Sequence, residues 1–297
     1  MRTRPPLAIG LLSGAIIGAA LLSIHLILIR TIQQQEIGMN LFMTGLLLLI
    51  TLPLLALWLY SVIELATLRY AVDRNGLTIS TWFLRRTIPH GEIREIVTGV
   101  EAEADRRFRG VSWPGFMHGR IQMPGIGPLL MLSTEPLERQ LVVVTESACY
   151  GISPRNADTF LQGYERRRDL GAMESVPHAV EARAVAAWPI WRDRAFWLAM
   201  IVGLVANLAL VAYATGRYAQ LPAIVPMHWD ALGHIDRLAP KAWVFSIPAI
   251  GALALGVNFL IGLLLSFREQ FGSRLLAWAS VAVQAGLWLA ALEILAP

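Results

Sequence analysis

Apolar positions along this chain follow two regimes. Five stretches run almost unbroken: Leu7 to Ile29, Asn40 to Glu64, Ala195 to Thr215, Trp243 to Phe267 and Leu275 to Ala296. A hydrocarbon core is about 30 Å thick and each helical residue rises about 1.5 Å, so each run predicts a spanning helix. Between the second and third runs the pattern changes. "RYAVDRNGLTISTWFLRRTIP" alternates apolar and polar residues with period two, which predicts paired strands, and Asn75-Gly76 offers the positive-φ pair of a tight hairpin. "GEIREIVTGVEAE" continues with Ile93, Ile96 and Val97 inward, and "LERQLVVVTESACYGIS" predicts two more strands. "SPRNADTFLQGYERRR" predicts a helix with Ser153 as N-cap, Pro154 at its first position, and Phe160, Leu161 and Tyr164 on one face. From Arg106 to Pro128 the chain is rich in glycine and has aromatic-proline corners, the pattern of a long structured loop.

The expected fold is therefore an α+β membrane protein. Residues 1–64 form a two-helix hairpin, and 65–171 form a small β-barrel or sandwich capped by a C-terminal helix. Residues 172–194 form an interfacial linker with a short helix, and 195–297 form a three-helix unit with a polar loop at 216–242. Trp188, Trp191 and Trp197 fall where aromatic anchors meet headgroups.

Composition supports this division. Of 297 residues, 56% are hydrophobic and 15% charged, against roughly 25% charged in soluble domains. The first apolar run is too long for a signal peptide and ends at no A-x-A site, so it reads as a retained anchor. The one cysteine, Cys149, excludes an internal disulfide framework and a multi-cysteine zinc site, and reads as a small strand residue.

The net charge of +4 comes almost wholly from arginine, Lys241 being the single lysine. With the N-terminus inside, Arg2, Arg4, Arg69, Arg74, Arg85, Arg86, Arg192, Arg194, Arg268 and Arg274 lie on the inner side, while Arg30, Arg217, Arg237 and Lys241 lie outside. The positive-inside rule then predicts an N-terminus inside and a C-terminus outside, with the β-domain in the cytoplasm. Arg106-Arg107 and Arg166-Arg167-Arg168 read as solvated faces or as general attraction to anionic lipid, with no nucleic-acid partner implied.

Polar residues within the spans are few. Asn207, Asn258 and Gln284 lie mid-helix, where an unpaired amide is costly, so they are expected to face one another as packing contacts. Glu64 and Glu293 stand at helix ends, which leaves a pump or proton relay without a mid-membrane carboxylate. His25 reads as structural, and Gly14 with Gly18 permits close helix approach.

The densest ionisable chemistry is "LPAIVPMHWDALGHIDRLAPK", between the third and fourth spans. Gly233 permits a turn across which His228 and Asp236 face each other, the prolines fix an extended entry, and Lys241 lies near the next helix. Three readings stand. The loop holds two helices in register through hydrogen bonds; or it is an ordered cap in which His228, Asp230, Gly233, Asp236, Arg237 and Lys241 meet a ligand or partner; or His228, Asp230, His234 and Asp236 bind a metal. H-x-D-x3-H-x-D is not an established zinc spacing, and no cofactor or metal is expected. Without a phosphate-binding loop, nucleophile elbow or H-E-x-x-H motif, no enzyme activity is expected.

Two resemblances bear on these readings. "GLTIS", "RRTIPHGEIREI" and "YGISPRNADTFLQGY" resemble a bacterial pleckstrin-homology-like domain over about 100 residues. Leu221, Pro222, Pro226, His228, Gly233, Asp236 and Lys241 resemble the extracytoplasmic loop of a domain of unknown function found in SdpI-like membrane proteins. Position 230 is an amide in that pattern and Asp here, and His234 is no part of it, so loop function does not carry over at those positions. The resemblance implies signalling or immunity against a killing peptide. The expected function is a non-catalytic transmembrane sensor or scaffold. The alternatives are immunity to a membrane-active peptide, an accessory subunit of a larger membrane complex and, least favoured, a metal-dependent membrane enzyme. The expected partners are membrane lipids, a protein in or at the membrane, and an external peptide.

Overall fold

A computed structural model describes every residue except 100–107, 124–126, 172, 175, 230, 231, 233, 296 and 297. The chain forms two compact units, Met1–Ile24 with Thr51–Ala187, and His25–Ile50 with Trp188–Pro297. Among the described residues five helices are long and apolar enough to cross a membrane.

The chain opens with β1 (Arg2–Thr3), α1 (Ala8–Gln34) and α2 (Met39–Thr67). β2 (Arg69–Val72), β3 (Gly76–Ser80), β4 (Leu84–Pro89) and β5 (Ile93–Thr98) follow, then β6 (Arg109–Trp113), β7 (Phe116–Met123) and β8 (Gly127–Ser133). β9 (Leu141–Thr145), β10 (Cys149–Ile152), α3 (Ala157–Asp169) and β11 (Ala179–Ala182) complete the first unit. Its strands form a five-stranded sheet ordered β1-β2-β3-β4-β11 and a six-stranded sheet ordered β5-β9-β10-β8-β7-β6. Alternation explains the core. Tyr70, Leu77, Ile79 and Ile88 of the first sheet cluster with Leu132, Val143, Tyr150 and Ile152 of the second and with Phe160 and Tyr164 of α3. The buried Tyr70 hydroxyl donates to Leu132 O at 2.6 Å, and loss of water raises its pKa to about 12.

Local chemistry departs from expectation at four places. The β2–β3 turn is held by Asp73, whose Oδ1 accepts from Asn75 N (2.8 Å) and Gly76 N (3.0 Å). Neither Asn75 nor Gly76 has positive φ. Glycine is needed at 76 because a Cβ there would collide with the Ile88 carbonyl oxygen.

The N-cap of α3 is Asn156, whose side chain accepts from Thr159 N at 3.0 Å. Ser153 is instead tied to the sheet, accepting from Thr134 N at 2.8 Å, and Pro154 precedes the helix.

The stretch expected as a loop from Arg106 to Pro128 contains β6 and β7 in register Arg109↔Arg120 to Trp113↔Phe116, turning through Pro114 and Gly115 (φ 79°). Its glycines let backbones approach: a Cβ on Gly110 would meet the His118 carbonyl and the Gly119 Cα. Arg106 and Arg107 lie outside the described residues.

The expected interfacial helix is replaced by β11, which pairs with β4, and by 3-10 turns at Ala184–Ala187 and Pro189–Arg192. Within the first unit, small residues seat helix on helix as predicted. Trp58 Nε1 donates to Gly14 O at 2.8 Å, and a Cβ on Gly18 would strike the Trp58 ring.

The second unit contains α4 (Arg194–Arg217), β12 (Ile224–Trp229), β13 (Ile235–Pro240), α5 (Ser246–Leu265) and α6 (Gln270–Ile294). Asp193 caps α4 by accepting from Phe196 N at 3.1 Å, and its buried carboxylate also accepts from Arg274 Nε at 2.9 Å.

Candidate functional site

β12 and β13 form a two-stranded hairpin between α4 and α5. Every strand in such a sheet is an edge, which is why Pro226 and Pro240 are accommodated within it. The base is apolar: Val225 is buried with Leu210, Ala214, Val244, Ile247 and Ala291. Lys241 N closes it by donating to Ala223 O at 3.0 Å.

Beyond this base the hairpin is polar. Irregular register around His228 turns its ring toward the opposite strand, and its Nδ1 lies 2.6 Å from Asp236 Oδ1. The two side chains remain 65% and 46% exposed. Arg237 lies over the Trp243 ring at 5.8 Å, and Lys241 Nζ over the Tyr218 ring at 4.6 Å. Of the six predicted loop residues, His228 and Asp236 are thus brought together, while Arg237 and Lys241 each rest on an aromatic face. Asp230 and Gly233 lie outside the described residues, so the predicted turn at Gly233 and the four-ligand metal reading fall there too.

The amides of the second unit divide differently from expectation. Asn207 Nδ2 donates to Gln284 Oε1 (3.1 Å) and Pro248 O (2.9 Å), and Gln284 Nε2 donates to Gly251 O (2.9 Å). A Cβ at Gly251 would meet both amides, so any larger residue there would have to displace them. Asn258 stands apart and donates to Ser280 Oγ at 3.0 Å. The reason is distance along the axis. Asn258 shares a face with Gly251 but lies about 10 Å further along α5, beyond reach of Gln284.

One polar cluster was not foreseen. Glu64, in the last turns of α2, is 1% exposed. Its carboxylate meets His118 Nδ1, accepts from Thr81 Oγ1 at 3.2 Å and contacts Tyr60 one turn earlier. The available signals were the Tyr60–Glu64 spacing on an otherwise apolar helix end and the alternation of His118, Arg120 and Gln122 along β7.

A second chain of contacts joins β11 to the core. His178 Nδ1 lies 2.6 Å from Glu92 Oε2, and its Nε2 lies 3.1 Å from Tyr150 Oη. Burial raises the Tyr150 pKa, so its hydroxyl stays protonated. Cys149 is buried in the same sheet and its thiol pKa is raised by burial, in keeping with a packing residue.

Comparison with known families adds two matches. Residues 68–168 match a family described as a bacterial PH domain, and residues 198–252 match a domain of unknown function, DUF1648. No curated protein and no solved structure matches the chain. The first match spans β2 to α3. The second runs from α4 through the hairpin into α5, and so takes in His228, Asp236, Arg237 and Lys241 but not Gln284. The chain is a multi-pass membrane protein carrying PH-like and DUF1648 domains.

Proposed function

We propose that this chain is a non-catalytic sensor or scaffold that acts across a bacterial inner membrane, with the β12–β13 hairpin as its external contact and the PH-like domain as its cytoplasmic one. Arginine placement supports an N-terminus inside and a C-terminus outside. The observation that carries the reading is the hairpin itself. Its base is packed, yet its charged groups are displayed: His228 and Asp236 touch each other while largely exposed, an arrangement worth little to stability and well suited to contact with a partner. The likeness of Leu221, Pro222, Pro226, His228, Asp236 and Lys241 to the loop of SdpI-like proteins supports the same surface.

The test is purification from native membranes in mild detergent, comparing wild type with H228A/D236A/R237A by quantitative mass spectrometry. The expected result is a protein partner held at fixed stoichiometry by the wild type and lost from the triple variant, with both equally folded. An unchanged partner set would remove the hairpin from the docking surface. A constant set of membrane subunits retained by both proteins would identify an accessory subunit. Recovery of the protein alone, together with selective sensitivity of a deletion strain to a membrane-active peptide, would identify immunity.

A further inference from the structure

A cavity of about 340 Å³ in the first unit lies outside the hairpin reading. Leu57, Tyr60 and Ser61 of α2 form one wall, and Leu130 and Leu132 of β8 with Val111 of β6 supply an apolar floor. Three guanidinium groups line it: Arg86, Arg109 and Arg120. Arg109 and Arg120 are directly opposite each other in the β6–β7 register. Like charges in that position repel unless an anion joins them. Arg86 comes from β4 with its guanidinium 5.0 Å from the Tyr150 ring. Its Nε and Nη1 are buried and donate to no group among the described residues. Desolvation disfavours its charge, a cost that a bound anion offsets. Among the described residues no acid lines the cavity, and Glu64, which meets the lining His118, also accepts from Thr81.

We propose that this cavity binds an anionic phospholipid, its phosphate on Arg86, Arg109 and Arg120 and the start of its acyl chain against Leu57, Leu130 and Leu132. The planar guanidinium fork matches phosphate oxygens in a way that a point charge does not. The apolar floor and the wall of a spanning helix select an amphiphile over free phosphate. Unlike general headgroup attraction, this site takes one molecule.

Delipidated full-length protein in detergent, titrated with phosphatidylglycerol and read by native mass spectrometry, tests the assignment. The expected result is one tightly held lipid, with phosphatidylcholine of the same chains at least tenfold weaker. R109Q/R120Q, at exposed positions that leave folding intact, weakens phosphatidylglycerol at least tenfold, and R86K, which keeps the charge but loses the fork, weakens it less. R139Q, at an exposed arginine near Glu135, leaves it unchanged. Binding that survives both R109Q/R120Q and R86K overturns the proposal. Inorganic phosphate that displaces the lipid at equal concentration assigns the cavity to free phosphate and overturns the amphiphile.

Discussion

Two carboxylate–imidazole contacts in this molecule have the same chemistry and opposite environments. Glu64 is sealed from solvent in the last turns of α2, with His118 and Thr81 on its carboxylate. Asp236 meets His228 on a hairpin where both side chains are largely exposed. Removing His118, itself 30% exposed, leaves the sealed Glu64 carboxylate short of a partner that water does not replace, whereas at the hairpin surface water replaces whatever is lost. The first contact therefore belongs to the architecture of the PH-like unit and the second is free to serve recognition.

The sharpest way to break this contrast is H118A. It strands the Glu64 carboxylate with hydroxyl partners alone, and the expected loss is about 3 kcal/mol or more, read as a drop in the unfolding midpoint in detergent. E64Q, which keeps shape and the Thr81 contact, costs less. If H118A shifted stability no more than H228A, the buried pair would have no structural role and the contrast would fail.

D193A tests burial of another kind, since one carboxylate both caps α4 and holds Arg274. A loss of about 2 kcal/mol is expected, with R274Q losing only the part that belongs to the ion pair. N207A probes burial without charge, and about 1 kcal/mol is expected. In a double-mutant cycle, N207A/Q284A costs less than the sum of its singles because the two amides share a hydrogen bond. H228A sits at the small end, below about 1 kcal/mol and shrinking further at high salt. A larger, salt-insensitive loss would make the hairpin pair structural and weaken its assignment to recognition.

Legibility in the sequence followed the range of the interaction. His228 and Asp236 are eight residues apart across one turn, so their meeting could be anticipated from spacing. Glu64 and His118 come from a helix end and a strand that share no local pattern, and His118 sits in the glycine-rich stretch that imitates a loop. There glycine serves close strand approach at Gly110 and Gly119, a use that composition does not separate from flexibility. The cap of α3 lies three residues beyond Ser153, and local pattern does not separate the two because Ser153 and Asn156 have equal capping chemistry. Ser153 was taken by Tyr70 and Thr134, partners remote in sequence.

By itself the sequence determined the five spans and the alternating strands on either side of the glycine-rich segment, since a helix in hydrocarbon and a half-buried strand each impose a period that residues must obey one by one. It also determined that the short interruption between the third and fourth spans would be rich in ionisable groups. Only the tertiary structure decided which carboxylate is buried, which amide pairs with which, and which arginines line a common cavity. Those outcomes depend on what is brought alongside each residue from elsewhere in the chain, and a buried charge takes its energy from all the groups around it.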